Sequence, residues 1–302
     1  MTVATRHAPP TAIAVRVSAP ASFVLSFDFE DWHQLVYRRL GRANWRSGNN
    51  AFPRHVHDVL ALLDELGVRA TFFAVGAAAE RHPSALRDVV SAGHEVGCHG
   101  YEHLRAFTQT KGAFRDDTLR CLDVVDRVCG VTPAGFRAPW FSVTAECRWV
   151  YEVLEELGLH YSSSVYDSPL LRQRLRPIPA HPFRAGGLWE FPIAVWKGHG
   201  VRVPIGGGSY WRALPSAALW QGLERVRRQS LFPVLYFHPY EFAVEDLQVV
   251  PPPGATLRER GREASRRRYK NARRRLIPGR IREAATRFHL ISFREALGGL
   301  EE

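Results

Sequence analysis

The chain has 302 residues, 45% of them hydrophobic and 24% charged, the proportions of a globular protein with a large core. These values exclude a mainly disordered chain, a collagen-like fibre and a disulfide-stapled miniprotein. The net charge of +11 comes from 41 Lys and Arg against 30 Asp and Glu, but the excess is local. Residues 258–287 hold 12 Arg and Lys270 against Glu259, Glu263 and Glu283, so the rest of the chain is close to neutral. That distribution excludes a uniformly basic nucleic-acid-binding protein, and no nucleic-acid partner is expected.

Taken in chain order, residues 1–20 read as a flexible leader. Pro and Arg interrupt each of its short apolar runs, which makes a poor signal peptide. No run approaches the ~18 apolar residues of a membrane-spanning helix, so the expected location is cytoplasmic, at most peripheral at the inner membrane face. SFVLSFDF (22–29) reads as a buried strand. Residues 54–67 place Val56, Val59, Leu60, Leu63 and Leu66 at helical spacing, with Gly67 as the stop. ATFFAV (70–75) is a strand, followed by a helix from Pro83 to about Gly93 and a short strand, HEVGCH (94–99). A helix over 113–129 ends at Gly130, AGFRA (134–138) is a strand, and Thr144 caps a helix running to Leu157. LHYSSSV (159–165) and LWEFPI (188–193) read as strands, residues 215–229 as a helix, and FPVLYFH (232–238) as the last barrel strand. About seven strand–helix units predict a parallel sheet with helices outside it, either a closed barrel or an open doubly wound sheet. No GxGxxG follows the first strand and no GxxxxGK[ST] occurs, which removes the usual nucleotide cradle. The GGG at 206–208 fits neither pattern.

Polar residues fall at strand C-terminal ends. Asp28, Glu30 and Asp31 leave the first strand, His99 and His103 the third, Arg137 the fourth, and His238 the last. In a parallel barrel that rim carries the chemistry. Two imidazoles four residues apart can reach one metal ion, and a carboxylate from a neighbouring strand would complete a His–His–carboxylate set; alternatively the pair is two solvated loop histidines. Cys98, Cys121, Cys129 and Cys147 form no CxxC pair and read as reduced thiols, and strand alternation turns Cys98 away from His99's face.

FDFED, GHEVGCHGYEHL, GFRAPWFSVT and VLYFHPYEF, in that order, resemble the successive motifs of the polysaccharide deacetylases (the NodB-homology group, carbohydrate esterase family four). The resemblance spans about residues 22–240. It is nearest the exosortase- and exopolysaccharide-associated branch, whose C-terminal extension GGGSYWRALP and the residues beyond Pro253 also resemble. The resemblance implies a distorted (β/α)7-type barrel over 21–250 with a basic helical extension, 251–302, packed on it. It also implies one divalent metal, zinc first, and removal of N-acetyl groups from an amino-sugar-containing glycan.

By the same resemblance Asp28 is the catalytic base, His238 the general acid, and Arg137 the residue that orients the base. His99 and His103 are metal ligands, with Glu30 as the third because alternation puts it on the side of Asp28; Asp31 serves instead if the chain turns after Phe29. Asp167 is the candidate carboxylate behind the acid histidine. Amide hydrolysis needs an activated water and a protonated leaving amine, and the backbone N–H after Pro139 is a candidate oxyanion donor. Of the aromatics flanking the motifs (Trp32, Trp140, Tyr210, Trp211, Tyr240), Trp140 and Trp211 are expected to line a saccharide groove, with Pro139 and Tyr240 as further substrate contacts. The basic segment is either a solvated helix or an electrostatic dock for an anionic membrane surface, a diphospho-lipid-linked glycan or an acidic polysaccharide. Rival functions are an amidohydrolase on a lipid-linked sugar or small cyclic amide, and a catalytically silent carbohydrate-binding barrel.

Overall fold

A computed structural model describes residues 22–31, 50–169, 177–198, 200–248 and 254–301. The leader and Trp32 lie outside these residues. The first strand, β1 (Phe23–Phe29), is buried along its whole length on both faces, as a strand at the centre of a covered parallel sheet must be. β2 (Thr71–Ala74), β3 (Glu95–Cys98), β4 (Gly135–Phe136) and β5 (Tyr161–Ser162) follow on one side, all parallel. β6 (Phe183–Ala185) and β7 (Leu188–Glu190) form an antiparallel hairpin, and β7 joins β5 in parallel. β8 (Val195–Gly198) and β9 (Val201–Pro204) make a separate two-stranded sheet.

β10 (Val234–Phe237) pairs in parallel with the other side of β1. Beyond β7 the chain reaches back to it through a parallel bridge, Ile193 to Val234. The sheet therefore curls round on itself, and of the two arrangements open to the sequence the curled barrel is the one adopted. β11 (Leu290–Ile291) pairs in parallel with Phe23 and Val24, so the chain past 254 contributes a strand to the main sheet.

Helices cover the outside. α1 (Phe52–Glu65) starts with Pro53 in its first turn and buries Val56, Val59 and Leu63. α2 (Gly76–Arg81) precedes α3 (Pro83–Ser91); Pro83 cannot continue α2 and begins the next helix instead. α4 (Lys111–Cys129) is capped by Thr110 and stopped by Gly130, whose φ of 66° suits a residue without Cβ. Thr144 opens a short 3-10 turn rather than the helix itself, and α5 (Trp149–Glu156) follows. α6 (Gly208–Ala213), α7 (Ser216–Arg227), α8 (Leu257–Asn271), α9 (Leu276–Arg287) and α10 (Phe293–Glu301) complete the described elements. The basic run is thus two helices, not one.

Several of its arginines are structural. Arg274 is buried and donates to the carbonyls of Tyr240 and Glu245. Arg280 donates to those of Trp211 and Leu214, and Arg282 pairs with Glu65 on α1. All four cysteines are free thiols. Among the described residues no helix is long and apolar enough to cross a membrane.

Candidate active site

The strand register explains why polar side chains converge. Phe27 pairs with Phe237 and Cys98 with Phe136. Asp28 and His238 are each the next residue after the first rung; His99 and Arg137 are each the next residue after the second. Parallel strands end on one rim, so all four project from it.

Arg137 is wholly buried and anchors the cluster. Its Nη1 donates to Asp28 Oδ1 at 2.7 Å, and Nη2 to Ser26 Oγ at 2.9 Å and Ser163 Oγ at 3.2 Å. Its guanidinium also sits over the Phe73 ring at 4.2 Å. With Oδ1 so held, Asp28 Oδ2 faces His99 Nε2 at 3.8 Å and His238 Nε2 at 3.9 Å.

His99 Nδ1 donates to the Arg137 carbonyl at 2.6 Å, which leaves the Nε2 lone pair directed at the rim. Burial pushes its pKa down to about 4, against the pull of Asp28, so the ring is neutral at neutral pH, as a metal ligand must be. Glu30 Oε1 lies 2.9 Å from His238 Nε2, and Oε2 lies 2.8 Å from His103 Nε2. Burial raises the Glu30 pKa, but the two imidazoles outweigh it and hold the carboxyl well below its usual range. Ligand atoms of Glu30, His99 and His103 all lie within 4.8 Å of one another, and those of Asp28, Glu30 and His238 form a second such group. Asp31 is also buried but belongs to neither group.

The donor set fits a cation. Glu30 Oε2 is buried and, despite its closeness to His103, has no hydrogen bond of acceptable direction. A buried carboxylate oxygen left this way is costly unless a positive charge completes its shell. Two imidazole nitrogens and a carboxylate oxygen are the donors a divalent transition ion takes.

The carboxylate behind His238 is Glu241, not Asp167. Glu241 Oε2 accepts from the His238 backbone N–H at 3.0 Å and lies 3.3 Å from Nδ1, whereas Asp167 is paired with Lys197 and Arg202, both at 2.8 Å. Burial alone would lower the His238 pKa, but Glu241 and Glu30 raise it to about 9. Arg212 stands 3.6 Å from Glu241 Oε1. A Cβ on Gly208 would come 2.3 Å from Glu241 Oε2, so the third glycine of GGG is there to let this carboxylate in.

Around the ionisable cluster is a cleft of about 460 Å³, lined on its aromatic side by Trp140, Tyr166, Tyr210, Tyr236, Tyr240 and Tyr269. Trp140 lies 5.9 Å from the His103 ring. His103 (φ 53°), Trp140 (φ 63°) and Phe141 (φ 51°) are three of the four non-glycine left-handed residues described, and such strain gathers where a site dictates backbone shape. Pro139 is buried and is not among the residues that line the cleft. Trp211 does not reach the cleft: it is fully buried, edge-on to Phe237 at 5.0 Å, with Nε1 donating to the Ile205 carbonyl. Expected as a sugar platform, it is core. α8 closes one side of the cleft with Arg266, Tyr269 and Lys270. Arg212 Nη1 holds the end of that helix by donating to the Tyr269 and Lys270 carbonyls.

Comparison with known proteins agrees with this architecture. A polysaccharide deacetylase family model matches residues 45–162, and a domain of unknown function (DUF3473) matches residues 164–297. The chain is 28% identical over 179 residues to a peptidoglycan deacetylase of Helicobacter pylori, an alignment covering 59% of this chain and 54% of that protein. It is 26% identical over 95 residues to a peptidoglycan-N-acetylglucosamine deacetylase of Bacillus cereus, covering 31% of this chain and 34% of that protein. The chain therefore spans about half the length of the first of these relatives and about a third of the second. A crystal structure from Mycobacterium smegmatis, assigned as a polysaccharide deacetylase, has the same fold, with a TM-score of 0.66 at 22% identity over 97% of this chain and 95% of that one. The chain is thus similar to the polysaccharide deacetylase family over residues 45–162 and to the DUF3473 family over residues 164–297.

Proposed function

We propose that the protein is a metal-dependent hydrolase that removes N-acetyl groups from an amino-sugar-containing polysaccharide or glycan. One observation carries the reading: the buried Glu30–His99–His103 set opens on the same cleft as Asp28 and His238. Zinc suits two imidazoles and one carboxylate with positions left open. When bound, a divalent ion polarises the acyl oxygen and acidifies water.

The chain's own residues supply the proton transfers. Asp28, fixed by Arg137 through Oδ1, takes the proton of the attacking water on Oδ2. His238, kept protonated by its two carboxylate neighbours, gives a proton to the departing nitrogen, a role worth roughly 10²–10⁴ in rate. Trp140 offers a ring to the sugar, whereas Tyr240 is buried between the His238 ring and Lys270, and the aromatic wall keeps bulk water from the reacting centre.

The test measures acetate released from N-acetylglucosamine oligomers alongside metal content. Asp28→Asn is expected to lose about 10²-fold or more in kcat while binding one divalent ion per chain. Glu30→Gln is expected to lose the ion and Asp31→Asn to keep it. An Asp28→Asn protein as active as the wild type removes Asp28 as the base, and a wild-type chain that binds no divalent ion sinks the reading.

A further inference from the structure

The excess positive charge divides into two populations. The arginines of α9 and the turn before it are largely committed within the fold: Arg274 and Arg280 to carbonyls, Arg282 to Glu65 on α1, and Arg287 to Glu283 on α9 itself. On α8 a different set recurs every fourth residue: Arg258, Arg262, Arg266 and Lys270. Residues at that spacing lie along one slowly winding ridge of a helix. Arg258 and Arg262 are exposed and Arg266 is half-buried. Among the described residues no carboxylate pairs with any of these three arginines.

The ridge ends inside the cleft. Arg266 and Lys270 line it together with Asp28, Glu30 and His238, and Lys270 Nζ donates to the Tyr240 hydroxyl beside His238. From Arg258 to Lys270 the ridge runs about 18 Å at 1.5 Å per residue. Arg258, Arg262 and Arg266 repel one another along the ridge, and none of them is paired with a carboxylate among the described residues. A partner that brings spaced negative charges and leads into the cleft would relieve that repulsion.

We propose that this ridge selects an acidic glycan, a polymer in which amino sugars alternate with carboxylate-bearing sugars, and guides it so that an N-acetyl group meets the rim cluster. The inference rests on the deacetylase reading and names its substrate class. Charge complementarity and continuity with the cleft favour a glycan over a lipid surface. α8 turns Arg266, Tyr269 and Lys270 inward to the catalytic groups, whereas a membrane-bound helix turns its apolar face outward to the lipid.

The experiment uses the full chain loaded with zinc and two sets of oligosaccharides of equal length. One is neutral poly-N-acetylglucosamine, and the other alternates N-acetylglucosamine with glucuronate. The readout is the ratio of kcat/KM for the acidic set to that for the neutral set. The ratio is expected to be about tenfold at low salt, from several exposed charge contacts of modest strength each. It should fall towards one at about 1 M salt, where the Debye length is ~3 Å. Arg258→Gln and Arg262→Gln, neither of which has a partner to lose in the fold, should each lower the ratio about 2- to 5-fold.

A low-salt ratio at or below one, or a ratio unmoved in the double variant, overturns the proposal while the deacetylase reading stands. If neither set releases acetate, binding of the acidic oligomer to the same chain is measured by calorimetry. Binding that weakens in the double variant keeps the ridge as an acidic-glycan site without the deacetylase reading, and binding that does not change removes the ridge as well. Vesicles of phosphatidylglycerol are the remaining arm. Loss of vesicle binding in the double variant, with the glycan ratio unmoved, assigns the charges to a membrane surface and refutes the proposal.

Discussion

Glu241→Gln tests the role of a residue that no motif reading assigned. The change keeps the size and one acceptor oxygen but removes the charge behind His238 Nδ1. The His238 pKa stands at about 9 against an ordinary value near 6.5, a shift that corresponds to about 3 kcal/mol. Burial works against that shift, and two carboxylates, Glu241 and Glu30, produce it. A folded-state pKa raised above the unfolded value stabilises the protein fully below about pH 6.5, and the contribution is lost as pH rises through about 9. Glu241 itself is held below its usual carboxylate range, so it is ionised throughout that window. In chelator-treated protein, the stability advantage of wild type over Glu241→Gln should therefore be largest near pH 6. It should shrink by about 1–2 kcal/mol by pH 9.5, roughly half of the His238 contribution. Urea unfolding across that range gives the difference curve, and an NMR titration of the imidazole should show His238 losing its proton at lower pH in the variant. A His238 titration that is the same in both proteins, or a stability difference independent of pH, refutes the assignment of Glu241 as the residue that holds the proton on His238.

Two further outcomes follow from burial. Arg137→Met strands the Asp28 carboxylate in a dry site and is expected to cost about 3–5 kcal/mol in urea unfolding; adding Asp28→Asn should recover much of that loss, and purely additive effects would contradict the ion pair. Trp211→Ala empties a fully enclosed site and should cost about 3–5 kcal/mol, with KM for a neutral oligosaccharide changed by less than about twofold in whatever fraction remains folded; a large KM effect without a stability loss would return Trp211 to the groove.

The rim was legible because parallel strands carry direction. Once β1, β3, β4 and β10 are read as strands of one parallel sheet, the polar residues at their last positions must share an end, whatever the order of the strands. Alternation likewise put Glu30 with Asp28 before any contact was known. Trp211 was misread because sequence adjacency to a glycine run and a tyrosine says nothing of which way a helical side chain points; α6 turns Tyr210 to the cleft and Trp211 to Phe237. Glu241 was overlooked although a signal was present. In His238-Pro239-Tyr240-Glu241 a proline follows the cap position and a glutamate sits three residues on, the spacing of a capping box, and that turn delivers the carboxylate to both the backbone N–H and the ring of His238. β6, β8, β9 and β11, of two to four residues each, were not predicted as strands.

The position of β1 decides how such scattered residues become one site. Asp28 and Glu30 precede residue 45, where the deacetylase match begins, His99, His103 and Arg137 fall within it, and His238 and Glu241 fall in the DUF3473 match. No single segment holds Asp28, the His99–His103 pair and His238 together. β1 is hydrogen-bonded to β2 on one side and β10 on the other, so its C-terminal end stands between the histidines that follow β3 and the one that follows β10. The residue after each strand then needs to travel only a side chain's length to meet the others. Arg212 extends the same logic to the last segment. Its Nε stands 3.6 Å from Glu241 Oε1, and its Nη1 holds the carbonyls that end α8. The helix that carries the unpaired arginines is thereby fixed to the carboxylate that supports His238.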